Sequence, residues 1–264
     1  MNRKIRIGAL ISGGGTNLQS IIDACESGKI SGKMVFVGTD NSSARGLKRA
    51  EKHSIPSFIV EYSKIIKTIA AGSQKTEMPE DFDLDDIFSK QTIFPDKADY
   101  EKVKRFLITR AAAEAALLEK MNVFEFDLLV LAGFMRNLTP YFIDRVNIDP
   151  NHPKIMNIHP ALLPSFPGVD GYGDTFRYGC KVGGCTVHFI DYGEDSGPII
   201  GQKTFAIEPD DTIDSIKEKG LKKEWELYPD CIHLFADNRL KMEKISFTMG
   251  NGKKVQRTFV KILK

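Results

Sequence analysis

Cysteine is scarce. Only Cys25, Cys180, Cys185 and Cys231 carry thiols in 264 residues, and no two form a Cys-x-x-Cys pair. That excludes a disulfide scaffold, suits a reducing compartment and leaves each thiol expected as a small buried hydrophobe. No run approaches the roughly 18 uninterrupted apolar residues of a membrane helix. The opening Met-Asn-Arg-Lys leads into an apolar segment that Ser12-Gly13-Gly14-Gly15 cuts short, so a cytoplasmic location is expected. An excess of one charge is also missing: 37 Lys and Arg against 35 Asp and Glu leave +2. So weak a field predicts neither nucleic acid nor a membrane surface as partner. With 42% hydrophobic and 27% charged residues, the composition is that of a soluble globular chain. It shows no internal repeat and no flexible linker.

Hydrophobic patterning predicts an α/β fold. Residues 4–11 read as a strand ending in glycines, and Leu18, Ile21, Ile22 and Cys25 then recur at helical spacing over 17–25. Residues 33–38 and 57–60 read as further strands around a helix at 44–52, and strands alternating with helices imply a parallel sheet. A long helix over 100–121 feeds 127–132, whose near-continuous apolar run fits a strand covered on both faces. After Asn157 the texture changes: prolines and glycines over 160–173, then strands at 185–191 and 198–207, predict a mixed or antiparallel half. A helix is expected over 211–227, and strands at 245–249 and 255–262 flank Gly250-Asn251-Gly252 as a terminal hairpin. Residues 63–92 break the rhythm, with Glu77, Glu80, Asp81, Asp83, Asp85 and Asp86 crowded together and no basic side chain among them. They are expected as an inserted acidic surface excursion, either plain solvated chain or a lid or subunit contact. The expected division is one domain over 1–240 and a hairpin appendage over 241–264, whose seven basic residues against Glu243 alone suit a solvated edge.

Two places concentrate chemistry. Ser12-Gly13-Gly14-Gly15-Thr16-Asn17 sits where a glycine turn and a helix N-terminus can receive a phosphate. The dinucleotide pattern is half met, since Leu18 stands at the third glycine position while Asp40 ends the second strand; the Walker pattern fails. The alternative is a tight turn capped by Thr16 or Asn17. Further on, Asn157-Ile158-His159 follows an expected strand, and an amide and an imidazole two residues apart in extended chain project to one side. Both could donate to one developing oxyanion. Asp195-Ser196-Gly197-Pro198 places a carboxylate among small residues, where it could favour an imidazolium at His159 and assist proton transfer. The alternative is a core histidine and a turn aspartate. His152, His159 and His188 lack zinc-ligand spacing, so no metal is implied, and alternation along its strand makes His188 structural.

Taken in order, residues 12–19, 131–138 (Leu-Ala-Gly-Phe-Met-Arg-Asn-Leu), 157–164 (Asn-Ile-His-Pro-Ala-Leu-Leu-Pro), Val187-His188-Phe189-Ile190 and Asp195 to Ile200 resemble the phosphoribosylglycinamide formyltransferases. These folate-dependent enzymes catalyse the third step of purine biosynthesis. The resemblance spans nearly all the chain outside the insertion and the hairpin. It implies an open twisted sheet with a parallel Rossmann-like first half and a mixed second half. It also implies direct transfer of a formyl group from 10-formyltetrahydrofolate to the amine of 5′-phosphoribosylglycinamide. By position, Gly15, Thr16 and Asn17 would hold the phosphate and Glu224 the ribose hydroxyls. Met135, Arg136, Asn137 and Leu138, with Asn157, would meet the folate, as would Lys97. The loop from Tyr192 to Gly197 would wrap the pteridine, and Asn157, His159 and Asp195 would be catalytic. Small-molecule partners are implied, without nucleic acid or membrane, and a homodimer is left open. The chain departs from the pattern at Val169-Asp170-Gly171-Tyr172-Gly173 and at Trp225, where relatives often carry histidine or alanine and histidine respectively. Three alternatives compete: formyltetrahydrofolate deformylase, expected to carry an N-terminal regulatory domain ahead of this first strand; methionyl-tRNA formyltransferase, disfavoured by the short chain after Ile207; and a non-catalytic nucleotide-binding module.

Overall fold

The computed structural model describes residues 3–71 and 78–264. In chain order its strands are β1 (Ile5–Ile11), β2 (Gly32–Thr39), β3 (Ser57–Ile59), β4 (Leu128–Leu131), β5 (Ile155–His159), β6 (Val182–Phe189), β7 (Ile199–Ala206), β8 (Leu240–Thr248) and β9 (Lys254–Ile262). Its helices are α1 (Thr16–Glu26), α2 (Gly46–Lys52), α3 (Tyr62–Ala70), α4 (Leu84–Lys90), α5 (Tyr100–Met121), α6 (Pro140–Val146), α7 (Gly171–Arg177) and α8 (Ile213–Ala236). Seven strands form one sheet in the order β3-β2-β1-β4-β5-β6-β7. The first five run parallel, while β6 and β7 alternate in direction, as the change of texture after Asn157 predicts.

Alternation divides each central strand between two cores. Leu128 and Val130 face a layer built with Leu18, Ile21, Tyr228 and Ile232 of α1 and α8. Leu129 and Leu131 face α5 and α6 through Leu107, Ala111, Leu117 and Phe142. The chain turns back on itself between β1 and β4, and such a switch point opens a crevice beyond the strand C-termini. Two contacts stitch it: Ser12 N–H donates to the Gly133 carbonyl at 3.0 Å, and Met135 N–H to Ser12 Oγ at 2.9 Å.

Several expectations are corrected. Residues 63–92 are not merely a surface excursion: Ile65, Ile66, Phe82, Leu84, Ile87 and Phe88 pack α3, α4 and the residues just before α4 against the α5 core. Glu77 lies outside the described residues. Helix α8 does not stop at Leu227 but continues through Pro229 to Ala236, because Tyr228, Cys231 and Ile232 are buried against the sheet. That packing outweighs the lost backbone hydrogen bond. The hairpin strands β8 and β9 begin earlier than expected, and Leu240, Met242 and Val260 at the hairpin base pack on the α1/α8 core. All four cysteines are free; Cys185 and Cys231 are buried, and burial pushes both thiols up to about 12, whereas Cys25 and Cys180 are only half-buried. Among the described residues no helix is long and apolar enough to cross a membrane.

Tyr228 ties α8 to the strands that carry the site. Its hydroxyl donates to the Met156 carbonyl at 2.7 Å and contacts that of Leu131 at 3.2 Å, with no solvent access. Tyr228→Phe removes the only donor of this set and leaves buried carbonyls short of a partner. Urea denaturation is expected to show a loss of about 1–2 kcal/mol at unchanged slope.

Candidate active site

Asn157 and His159 lie within β5 rather than after it, so the expected boundary is corrected while their shared orientation is kept. Antiparallel pairing sets His188 of β6 directly across from Asn157. Asn157 Nδ2 lies 3.2 Å from His188 Nε2, and His188 Nδ1 lies 2.9 Å from the Phe189 carbonyl. An amide nitrogen only donates, which assigns the His188 proton to Nδ1 and makes Nε2 the acceptor that fixes the Asn157 amide. His188 is therefore more than a strand filler. Its signal was its register opposite Asn157, which no spacing along the sequence reveals.

The loop between β6 and β7 brings Asp195 back over the strand ends. Asp195 holds a left-handed φ of 50°, and a Cβ on Gly197 would stand 1.9 Å from the Phe189 carbonyl oxygen, so the small residues here are demanded by close approach. Asp195 Oδ2 lies 3.1 Å from His159 Nδ1 and accepts from Gly168 N–H at 2.8 Å, while Oδ1 is 3.6 Å from His188 Nε2. Burial pushes this carboxyl up, but the His159 ring and the Gly168 N–H oppose it, and it lies below its ordinary value; His188 Nε2, an acceptor at 3.6 Å, donates nothing to it. It is an anion at neutral pH. The other His159 nitrogen, Nε2, meets the Phe166 carbonyl at 2.8 Å. Both ring nitrogens thus face oxygen atoms.

Asn157, His159 and Asp195 line one cleft of about 230 Å³ together with Gly133 to Leu138, Ile190, Asp191, Gly193, Glu194, Asn17 and Glu224. Asn137 Nδ2 donates to Glu194 at 3.1 Å across its mouth. Met135 is exposed at the rim, Leu138 is buried, and the Arg136 guanidinium is held by Asp40 at 2.5 Å, so Asp40 is an ion-pair partner rather than a free ribose acid. Behind this segment, buried Glu114 accepts from the Thr139 N–H at 2.8 Å and from its hydroxyl, holding the start of α6; burial pushes that carboxyl up to about 8. Lys97 is not brought in: it is exposed in the turn before α5 and is not among the residues that line the cleft.

At the far end Asn17 Nδ2 donates to Glu224 Oε2 at 2.6 Å, and Tyr172, unread from the sequence, donates to Oε1 at 2.7 Å. Burial pushes the Glu224 carboxyl up against these two donors. Asn17 Oδ1 is buried without a hydrogen-bond partner. Gly15, at φ 68°, is the N-cap of α1, and no side chain caps the helix, contrary to the alternative of a turn capped by Thr16 or Asn17. The first amides of α1 are left for another acceptor. On the opposite side of this turn, Gly14, Thr16 and Gln19 share a shallow hollow of about 460 Å³ with Arg45, Lys48, Arg49 and Lys52.

Comparison with known proteins accounts for the arrangement. The family described as formyl transferase matches residues 5–232. A phosphoribosylglycinamide formyltransferase of Bacillus subtilis (strain 168) is 31% identical over 84% of this chain and 89% of its own length, and that of Escherichia coli (strain K12) is 31% identical over 91% of each. The crystal structure of glycinamide ribonucleotide transformylase 1 from Symbiobacterium toebii superposes with a TM-score of 0.71 at 32% identity, over 100% of this chain and 96% of that one. A formyltetrahydrofolate deformylase from Pseudomonas putida KT2440 superposes at 0.65 with 19% identity, a likeness of fold. The chain belongs to the formyl transferase family and, within it, to the phosphoribosylglycinamide formyltransferases.

Proposed function

We propose that this enzyme transfers the formyl group of 10-formyltetrahydrofolate to the primary amine of 5′-phosphoribosylglycinamide by direct attack. The observation that carries the mechanism is the meeting of Asn157, His159 and Asp195 in the wall of a cleft that ends at Asn17 and Glu224.

At the acceptor end, the open amides of α1 at Gly15, Thr16 and Asn17 take the phosphate, where the helix dipole favours an anion. Arg45, Lys48, Arg49 and Lys52 add positive field beside it. Glu224 accepts the ribose hydroxyls, since a carboxylate has about four lone-pair sites and two are already used. At the folate end, the slot between Met135, Arg136, Asn137 and Leu138 on one side and Gly193, Glu194 and Asp195 of the loop from Tyr192 to Gly197 on the other suits a flat bicyclic ring.

Between them the amine nitrogen attacks the formyl carbon, the new carbon–nitrogen bond forms, and the bond to the folate nitrogen breaks. One Asn157 amide hydrogen is committed to His188, which leaves the other for the formyl oxygen as it gains negative charge. His159 supplies the second donor when its Nε2 bond passes from the Phe166 carbonyl to that oxygen. Asp195 keeps His159 charged and, through a water, relays the amine proton to the departing folate nitrogen. The amine is itself the nucleophile, so no covalent enzyme intermediate is required. A cytoplasmic location and purely small-molecule partners belong to the same proposal.

The decisive assay follows tetrahydrofolate release from 10-formyltetrahydrofolate with and without 5′-phosphoribosylglycinamide. Release that requires the amine is expected. Steady formate production without it would instead identify a hydrolase.

A further inference from the structure

We infer that Tyr172 is a positioning residue for the acceptor end of the cleft: from behind Glu224 it fixes the carboxylate that receives the ribose hydroxyls, and so sets affinity for the phosphoribosyl acceptor. This rests on the function proposed above and extends it to a side chain on α7.

Glu224 is buried, and among the described residues no lysine, arginine or histidine lies within ion-pair distance of it. Two neutral donors hold it. Asn17 approaches Oε2 from the cleft, whereas Tyr172 on α7 does not line the cleft and reaches Oε1 from the protein side. A carboxylate kept from water with only two donors depends heavily on each. Without the phenol, Oε1 loses its anchor, and the face turned to the ligand is no longer fixed.

The contact is built into α8 as well. A Cβ on Gly220 would stand 2.1 Å from Tyr172 Cζ and 2.4 Å from its hydroxyl oxygen. Glycine weakens a helix interior, yet here, in the middle of a 24-residue helix, it opens the passage through which the phenol reaches Glu224. The Tyr172 ring, with the Phe205 ring 6.1 Å away, is itself buried. Tyr172 and Gly220 therefore form a matched pair.

The groups facing Glu224 are Asn17 from α1, Tyr172 from α7 and the Cys185 thiol from β6. Burial pushes Cys185 up to about 12, and burial together with Glu224 pushes the Tyr172 phenol higher still, so of this set Glu224 is the group that gives up its charge as pH falls. Burial raises its carboxyl and the two donors oppose that rise. Removing the phenol donor raises it further. The carboxylate needed by the acceptor is then lost at a higher pH than in the parent enzyme.

The test compares the parent enzyme with Tyr172→Phe by calorimetric titration with 5′-phosphoribosylglycinamide between about pH 5.5 and 8.5, alongside steady-state kinetics. Loss of one hydrogen bond to a carboxylate predicts acceptor affinity weakened about tenfold at the acid end of this range, with a gap that narrows as pH rises. The KM for formyl-folate is expected to stay unchanged and kcat at saturating acceptor to fall by no more than about twofold, because the reacting atoms lie elsewhere. Gly220→Ala, which drives a methyl group into the same phenol from the helix side, is expected to give the same signature. If the parent enzyme binds the acceptor and both variants bind it equally well at every pH, the inference is overturned. It is equally overturned if the variants lose acceptor and folate together without pH dependence, as a purely structural role would give. A parent enzyme that binds no acceptor removes the proposed function, and this inference with it.

Discussion

Alanine at His159 or at Asp195 is expected to lower kcat by about 10³-fold while leaving the Kd for 5′-phosphoribosylglycinamide within about twofold, the size of effect found when acid–base assistance is removed. The two side chains meet at 3.1 Å and, in the proposed mechanism, act as one unit: the carboxylate holds the ring and relays the proton while the ring donates to the oxyanion. The double variant should therefore be no worse than the poorer single variant, rather than the product of the two losses. Acceptor binding is spared because its proposed contacts, Asn17 and Glu224, sit at the other end of the cleft, where Asn17 donates to Glu224 without help from His159. Single-turnover kinetics and calorimetric titration of all three variants check this. A single variant that turns over at the parent rate contradicts the assigned roles. The pH sign follows from Asp195, whose carboxyl is held below its ordinary value. Its contribution is complete above that ordinary value and is lost only as pH falls through the lowered one. Acid inactivation arising from this group should thus come later than for an unpartnered aspartate.

Asn157→Ala should produce the second large loss, about 10²- to 10³-fold in kcat, because an oxyanion donor is worth roughly 2.7–4 kcal/mol in the transition state and much less in the ground state. The KM values should move little. The same change frees His188 Nε2, which then faces only the Asp195 carboxylate at 3.6 Å. That leaves an acceptor opposite an acceptor. Asn157→Asp keeps the shape but deletes the donor and should be at least as damaging. A variant of either kind whose loss falls in KM instead of kcat would show that Asn157 binds substrate without acting on the reacting oxygen.

How much of this was legible beforehand depended on how far each feature relies on distant chain. The strand at Leu128–Leu131 and the helix Tyr100–Met121 announce themselves, one by an unbroken apolar run and the other by length and period. Helix α8 does not, since Pro229 argues for a stop and only the burial of Tyr228, Cys231 and Ile232 carries the helix past it. Asn157, His159 and Asp195 were readable because two share a strand face and the third sits in a loop of small residues. Their supporting partners were not. His188 acquires its contact from strand register, while the Phe166 carbonyl and the Gly168 N–H acquire theirs from the loop after β5 and the Tyr172 hydroxyl from the packing of α7 on α8. Lys97 was placed by resemblance alone; in the fold it sits exposed in the turn before α5, apart from the residues that line the cleft.

The most direct test of the chemistry places ¹³C in the formyl group of 10-formyltetrahydrofolate and follows that carbon by NMR in the presence of 5′-phosphoribosylglycinamide and enzyme. Transfer between the two nitrogens predicts that the label passes wholly to the formamide of the acceptor, at the rate at which tetrahydrofolate forms and with no free formate. Label accumulating as formate, or resting on the protein, would contradict it.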